Sequence, residues 1–379
     1  MRMNIVLISK EQVPLFSRHL KHLIRKAGLI FVSVVLGRVA TASGNAPSHV
    51  DITWMSIANV YYELGSRYIL TDGYISRIPQ SDFFGGGGGL ANTHRAYRSN
   101  AKAVARVLNA LGGRKKVNLL LTGHSHFDHS FDTATWSRLT GAHIVGPKTT
   151  CLQVMAEKIP AQRCSAVYGG ESIVLAKGVV MRIIRWNHSG NNASNPEQHN
   201  PVELTAVPRI DQTTGGLHAG VAEDFPNGGG SRAFLFTVDG PEGRFSWFYQ
   251  GSASAIDLES PVIVGGTDYG APLENLKGAM RDAGLDSVDL WIGTGGAAIA
   301  RLVLPVIHPK AYLPVHWDGL WGDFEAGVPM SYADTDLEQM LSSAGVTLVR
   351  PQQYMDKWRL DRSGIRSIPN GPVKRALGF

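Results

Sequence analysis

The sequence predicts a mixed α/β fold in which two β-sheets are sandwiched between helices. Short strand patterns and helical periodicity succeed one another along the chain, as expected for packed layers of sheets and helices. The second half repeats this order, so a second, similar sheet is expected. With 379 residues, of which 44% are hydrophobic, the chain is long enough for one large domain with an extensive core. We expect this single domain to occupy residues 43–379.

The strands are predicted from short apolar or alternating runs that end at Gly, Pro, Asn or Asp. They fall at residues 51–55, 66–73, 117–121, 141–146, 171–175, 179–184, 202–207, 233–238, 245–249, 288–293 and 311–315. Glycine-containing turns at residues 64–65, 177–178 and 239–243 separate neighbouring strands, which predicts local antiparallel pairs.

Helices are predicted at residues 100–111, 133–139, 273–283 and 335–343. The first shows the clearest periodicity, because Val104, Val107 and Leu108 fall on one face and Gly112 follows its end. The glycine run Gly85–Gly89 cannot form the interior of a regular element. We interpret it as a solvated connecting loop, with a lid over the site as the less favoured alternative.

Residues 1–42 are predicted to be a signal peptide. A basic region ends at Lys26, an apolar stretch covers residues 27–37, and Ala40-Thr41-Ala42 fits a small-residue cleavage site. The apolar stretch is too short to span a bilayer comfortably, and a buried N-terminal helix is the alternative. We therefore expect a periplasmic or secreted protein that has no stable membrane insertion after signal cleavage.

The net charge of +6 belongs entirely to this leader. Its seven basic residues face Glu11 alone, which leaves 30 basic and 30 acidic residues in the rest of the chain. A body with balanced charge and no basic, aromatic stripe argues against nucleic-acid binding. A small molecule is the expected partner.

The chain contains two cysteines, Cys151 and Cys164. They lack the Cys-x-x-Cys spacing of a metal site. In an exported protein they could form a disulfide, and two partly buried thiols are the equal alternative, because sequence does not give the distance between them.

The most informative stretch follows the apolar strand at residues 117–121. It reads Thr-Gly-His-Ser-His-Phe-Asp-His-Ser over residues 122–130. His124, His126, Asp128 and His129 place four ligand-type side chains within six residues. Imidazole nitrogens and carboxylate oxygens are good ligands for Zn²⁺ and similar ions. A loop at the end of a buried strand can bring them to one point, which predicts a metal site.

This His-x-His-x-Asp-His pattern resembles the metal-binding signature of the metallo-β-lactamase superfamily. The resemblance covers about residues 51–330 and is greatest to the lactonase and phosphodiesterase-like branch. It implies a four-layer αββα sandwich and a metal-dependent hydrolase. It also implies further ligands at later strand ends, for which His218 and His316 are the best matches, the latter within Pro314-Val315-His316. His188 and His199 compete with His218, but we favour solvated loop positions for both.

The sequence departs from the family pattern at Ser252. After the strand at residues 245–249, the family normally shows Gly-Asp, and that aspartate usually bridges two metals. Here the residues are Gly251 and Ser252. A second metal is therefore expected to be weak, absent or held differently. Asp257 or Asp268 could substitute, although surface or turn positions are favoured for both.

The implied chemistry is metal-assisted hydrolysis of an ester, lactone, amide or phosphodiester bond. His124, His126 and His218 would hold a first zinc that activates water. His129 and His316 would complete a second site, and Asp128 and His316 are the candidate catalytic residues. One or two zinc ions are expected, with iron as the alternative.

Two other functions stay open. A mononuclear iron oxidoreductase of the same fold is favoured by the missing bridging aspartate, because two histidines and a carboxylate resemble a non-haem iron site. A non-catalytic binding protein is the other, because a fold does not establish activity.

Overall fold

The computed structural model describes residues 45–81, 94–188, 200–252 and 258–379. Four sequence predictions lie outside the described residues: the signal peptide, the glycine run Gly85–Gly89, His199 and Asp257. In the described part of the chain, no helix is long and apolar enough to cross a membrane.

The strands in chain order are β1 (His49–Ser56), β2 (Asn59–Leu64), β3 (Arg67–Thr71), β4 (Ala96–Tyr97), β5 (Leu119–Leu121), β6 (His143–Gly146), β7 (Cys164–Ala166), β8 (Ser172–Ala176), β9 (Val179–Arg185), β10 (Leu217–His218), β11 (Arg232–Gly240), β12 (Gly243–Tyr249), β13 (Ile263–Val264), β14 (Thr267–Asp268), β15 (Leu290–Gly293), β16 (Ala311–Pro314), β17 (Thr347–Leu348), β18 (Asp356–Asp361) and β19 (Gly364–Ile368). The α-helices are α1 (Ala101–Ala110), α2 (Phe127–Ser130), α3 (Thr133–Thr140), α4 (Lys148–Ala156), α5 (Pro272–Ala283), α6 (Gly296–Ile307), α7 (Thr335–Ser343) and α8 (Gly371–Leu377).

Two large sheets are present. The first has the order β19-β18-β1-β2-β3-β5-β6-β7 and the second has the order β17-β16-β15-β12-β11-β9-β8. Each sheet has an antiparallel part and a parallel part: β3, β5, β6 and β7 are parallel in the first, and β12, β15, β16 and β17 in the second. Two short strand pairs, β4 with β10 and the hairpin β13–β14, lie outside the large sheets.

The two sheets pack face to face. The fully buried ring of Tyr62 on β2 lies 5.8 Å from the ring of Phe236 on β11 and 5.7 Å from that of Trp247 on β12, between ring centroids. Because successive strand residues point to opposite faces, Leu235 faces the other way and packs into the core formed with α5, α6 and α7. The second sheet is therefore covered by a sheet on one face and by helices on the other.

Helices also cover the outside of the first sheet. Helix α1 contacts α3 and α8, and α3 and α4 contact β6. The side chain of Asn100 caps α1 by accepting a hydrogen bond from the backbone N–H of Ala103, and Val104, Val107 and Leu108 are its buried face. The predicted αββα sandwich is confirmed.

Two local predictions were wrong, and other elements were not predicted at all. Residues 202–207 form no strand, and Val202 and Val207 are 46% and 40% exposed, because no neighbouring strand covers them. The N-terminal segment forms three strands where two were predicted, because the chain turns at Ile57 after β1 and runs back as β2. The β18–β19 hairpin, which completes the first sheet beside β1, was not predicted.

Cys151 on α4 and Cys164 on β7 form a disulfide, with Cα atoms 5.5 Å apart and a sequence separation of 13. The bond ties a helix to the edge strand of the first sheet. It therefore restricts the unfolded chain around the β6–β7 connection.

We predict that replacing both cysteines by serine lowers the free energy of unfolding by about 2–4 kcal/mol, because a loop of this length loses its covalent closure. Urea unfolding of the double variant, with the reduced wild-type protein as control, measures the change. Equal stability of the oxidised wild-type and double-variant proteins would contradict a stabilising disulfide.

Candidate metal centre

The metal-binding loop, residues 122–126, follows the carboxyl end of β5. The backbone N–H of Thr122 donates to the carbonyl of Val145 on β6, which extends the parallel pairing by one residue. The backbone N–H of Gly123 then donates to the carboxylate of Asp72 over 2.8 Å. Helix α2 begins directly after His126, so it carries Asp128 and His129 in its single turn. The loop and α2 are almost completely buried.

The first ligand group consists of three histidines whose ligand nitrogens all lie within 4.8 Å of one another: His124, His126 and His188. The Nε2 atom of His124 and the Nδ1 atom of His126 are 3.2 Å apart. All three side chains are buried. Three imidazoles in this arrangement form a suitable set of ligands for Zn²⁺.

His188 reaches this group from the end of β9. The strand ends at Arg185, and the chain continues to His188 along the same edge of the structure as the metal-binding loop. The hydroxyl of Ser231, just before β11, donates to the carbonyl of Asn187 over 2.8 Å and holds this segment. The preference for a solvated His188 was therefore wrong, because the residue is 5% exposed and belongs to the cluster.

His218 does not belong to either ligand group. It lies on β10, which pairs with the distant strand β4, and its side chain is 37% exposed. Its backbone N–H donates to the carboxylate of Asp224 over 2.8 Å, and its Nδ1 atom lies 3.2 Å from the same oxygen. The assignment assumed a strand ending at Val207, and that strand does not exist. The residue in the expected position after a strand is His188.

The second ligand group consists of Asp128, His129 and His316. The Oδ2 atom of Asp128 is 3.1 Å from Nε2 of His129 and 3.1 Å from Nε2 of His316. The two Nε2 atoms are 3.3 Å apart. The side chain of His316, which follows β16, is 25% exposed, whereas those of the other two are nearly closed to solvent. Access to this group is therefore on the His316 side.

Asp72 orients His129, a role that the sequence did not assign. It follows β3 at the same edge, and its Oδ2 atom lies 2.8 Å from Nδ1 of His129. Holding Nδ1 in this way leaves Nε2 of His129 directed at the second group. The hydroxyl of Tyr249, at the end of β12, donates to the same carboxylate oxygen over 3.0 Å. The signal was present in the Thr71-Asp72-Gly73 turn, which follows a predicted strand.

The charges of the two groups differ. Burial and the neighbouring histidines hold the pKa of His124 well below its usual value, which favours the neutral, ligand form. Although burial opposes it, His129 and His316 hold the pKa of Asp128 well below its usual range. Burial likewise opposes the charged form of His129, but Asp128 and Asp72 raise its pKa to about 10. A proton on His129 must therefore leave before Nε2 can bind a metal.

Ser252 is buried just beyond the end of β12, where the family pattern has an aspartate. Neither ligand group in the described part of the chain includes a carboxylate from this loop. Asp268 lies in the exposed β13–β14 hairpin and is outside both groups. The described ligands therefore form two adjacent sets, three histidines and two histidines with a carboxylate, and both suit a divalent metal.

We predict that His188→Ala loses the metal ion of the first group, whereas His218→Ala retains it, because only His188 lies among the ligand nitrogens. Elemental mass spectrometry of the two purified variants measures the metal content per chain. Metal loss in His218→Ala with retention in His188→Ala would contradict the structural assignment.

The metal-free protein should lose stability as the pH rises from about 6.5 to about 10. The pKa of His129 lies above its unfolded value, so its charged form stabilises the fold below pH 6.5, and this stabilisation disappears as the pH passes the folded pKa. Urea unfolding of chelator-treated protein at both pH values, with His129→Gln as the control, tests this. A variant that loses as much stability as the wild type over this range would exclude His129 as the cause.

No protein-family model matches the chain, and no curated protein sequence does. Several solved structures are similar in fold. Igni18, a metallo hydrolase from Ignicoccus hospitalis KIN4/I, has 12% identity and a TM-score of 0.46, over 83% of this chain and 99% of its own. An isothiocyanate hydrolase from Delia radicum gut bacteria has 11% identity and a TM-score of 0.45, over 81% and 98%.

CmlA, a diiron beta-hydroxylase from Streptomyces venezuelae, has 13% identity and a TM-score of 0.42, over 83% of this chain and 54% of its own. At such low identities and TM-scores these likenesses do not indicate a substrate or a metal. The sandwich and the ligand groups at its edge are observed directly in this chain. The chain is similar in fold to these metallo hydrolases, and its His-x-His-x-Asp-His loop resembles the metal-binding signature of the metallo-β-lactamase superfamily.

Proposed function

We propose that the protein is a zinc-dependent hydrolase with a two-site metal centre. The observation that carries this proposal is the pair of adjacent ligand groups beside an accessible side chain, His316. The first ion would be held by His124, His126 and His188. The second would be held by Asp128, His129 and His316, and it would bind more weakly because Ser252 supplies no bridging carboxylate. Such an ion lowers the pKa of a coordinated water to about 7 and polarises a carbonyl or phosphoryl oxygen.

Asp128 is the candidate proton acceptor. Its carboxylate is ionised at neutral pH, because His129 and His316 hold its pKa low despite burial. Its Oδ2 atom lies between the two histidine Nε2 atoms, at 3.1 Å from each. A carboxylate in this position can take a proton from the attacking water and pass it on towards the leaving group.

A substrate would reach the centre from the side on which His316 is exposed. His316 is the most exposed member of either group, so a substrate oxygen can approach its Nε2 atom from solvent. When the second site is empty, Nε2 can donate a hydrogen bond or a proton to the leaving group. We propose a small molecule with an ester, lactone, amide or phosphodiester bond as the substrate.

The proposed location is the periplasm or the outside of the cell. The Cys151–Cys164 disulfide supports this proposal, because structural disulfides persist in oxidising compartments. The leader pattern of residues 1–42 supports it independently. We propose neither a nucleic-acid substrate nor a stable membrane insertion.

An iron oxidoreductase is the second candidate function. The group formed by Asp128, His129 and His316 favours it, since two histidines and one carboxylate are the ligands of many non-haem iron sites. The buried three-histidine group beside it is a better match to zinc, so we place this candidate second.

Metal content and hydrolysis, measured on one preparation, test the proposal. We expect one to two zinc ions per chain and hydrolysis of at least one member of an ester, lactone, amide and phosphodiester panel. Chelation should remove this activity and zinc should restore it. His126→Ala, which removes a first-group ligand, should bind no tightly held ion and lose all measurable activity.

The alternatives give different results in the same experiment. Iron in the purified protein, with oxygen consumption and no hydrolysis, would favour the oxidoreductase. Protein that binds neither metal under metal-replete conditions would contradict both enzymatic candidates and favour a binding role.

A further inference from the structure

His316 is positioned independently of the other two ligands in its group. Asp128 and His129 share helix α2, whereas His316 lies on a separate loop after β16. Its backbone has φ of 63°, in the left-handed region that residues other than glycine rarely adopt. The distance from His316 to Asp128 therefore depends on the contacts that fix the position of this loop.

The loop is held by the turn between β1 and β2. The backbone N–H of His316 donates to the carbonyl of Ile57 over 2.8 Å. In return, the backbone N–H of Ile57 donates to both carboxylate oxygens of Asp318, over 2.9 and 3.0 Å. The hydroxyl of Tyr354 donates to Oδ2 of Asp318 over 2.7 Å. Asp318 thus joins the histidine loop to the turn and to the segment before β18.

Aromatic packing reinforces the same contact. The ring of Trp317, between the ligand and the aspartate, stacks on that of Trp54 at the end of β1, with centroids 5.3 Å apart and planes 20° apart. The indole N–H of Trp54 donates to the carbonyl of Ile57 over 3.0 Å. The Ile57 carbonyl therefore accepts two hydrogen bonds, one of them from the ligand residue itself.

The turn is itself strained. Ile57 has φ of 47°, which is unfavourable for a β-branched residue. Conformations of this kind persist only where surrounding contacts enforce them. Ile57 and Asp318 are 0% and 3% exposed, so loss of the carboxylate would leave a buried N–H without its acceptor. Relaxation of the turn would then move the carbonyl that holds His316.

We propose that Asp318 is a positioning residue that sets how tightly the second ligand group binds its metal ion, by locking the His316 loop to the Ile57 turn. This inference rests on the proposed function, because it assumes that Asp128, His129 and His316 bind an ion. Asp318 acts through His316 and belongs to neither ligand group. The first ligand group receives no residue from this loop, so its affinity should not depend on Asp318.

The test is a zinc-binding measurement on the intact protein. Chelator-treated wild-type and Asp318→Ala proteins are equilibrated against buffered free zinc concentrations, and bound zinc is measured by elemental mass spectrometry. In Asp318→Ala we expect half-saturation of the second ion at about 10- to 100-fold higher free zinc, with the first ion unchanged. Asp318→Asn should recover part of the affinity, because its amide oxygen can still accept from Ile57.

A matched control separates positioning from general destabilisation. Val303→Ala removes buried side-chain volume from α6, in the core on the outer face of the second sheet, and should lower stability without weakening either ion. An unchanged second ion in Asp318→Ala would overturn the inference, and so would equal weakening of both ions in Asp318→Ala and Val303→Ala. Wild-type protein that binds no second ion would overturn the two-site function and the inference with it. The wild-type titration therefore tests the function, and the variants test Asp318.

Discussion

The carboxylate of Asp72 is the interaction on which the metal centre depends. It lies at the end of β3 in the first sheet and accepts from the hydroxyl of Tyr249 at the end of β12 in the second sheet. Its other oxygen accepts from the backbone N–H of Gly123, one residue before the first ligand. With the contact to His129, one buried carboxylate links both sheets, the metal-binding loop and a ligand ring. An unpaired carboxylate in this place would be very costly, so each of these contacts stabilises the folded structure.

The two ligand groups differ in how they are supported. The three histidines of the first group arrive on the loop after β5 and on the end of β9, and all are buried. The second group combines one turn of helix with a histidine on a strained loop that is open to solvent. A buried group beside a charged, more accessible one would give the two proposed ions different affinities. It also places His316 where a substrate would enter.

The sequence predicted the layers of the fold, because most strands of both sheets and the helices α1, α5 and α7 follow clear local patterns. It failed where an element depends on distant partners. The β18–β19 hairpin is ordered by pairing with β1, about 300 residues earlier in the chain. The apolar residues at 202–207 look like a strand but find no partner. Local propensity cannot distinguish these two cases.

The same limit explains which residues of the candidate site could be predicted from the sequence. His124, His126, Asp128 and His129 could be predicted because they lie within six residues after one strand. His316 was assigned from the family resemblance, at the end of a predicted strand. The choice between His188 and His218 required knowing which strand ends at the metal edge, and this is a property of the sheet order. Asp72 and Asp318 act through hydrogen bonds to backbone groups far away in sequence, which no local pattern records.

Anomalous diffraction at the zinc absorption edge, from crystals grown with zinc, tests the two-site centre most directly. We expect a strong peak among His124, His126 and His188 and a second, more weakly occupied peak among Asp128, His129 and His316. A peak at His218 and Asp224, or no peak at either ligand group, would contradict this expectation.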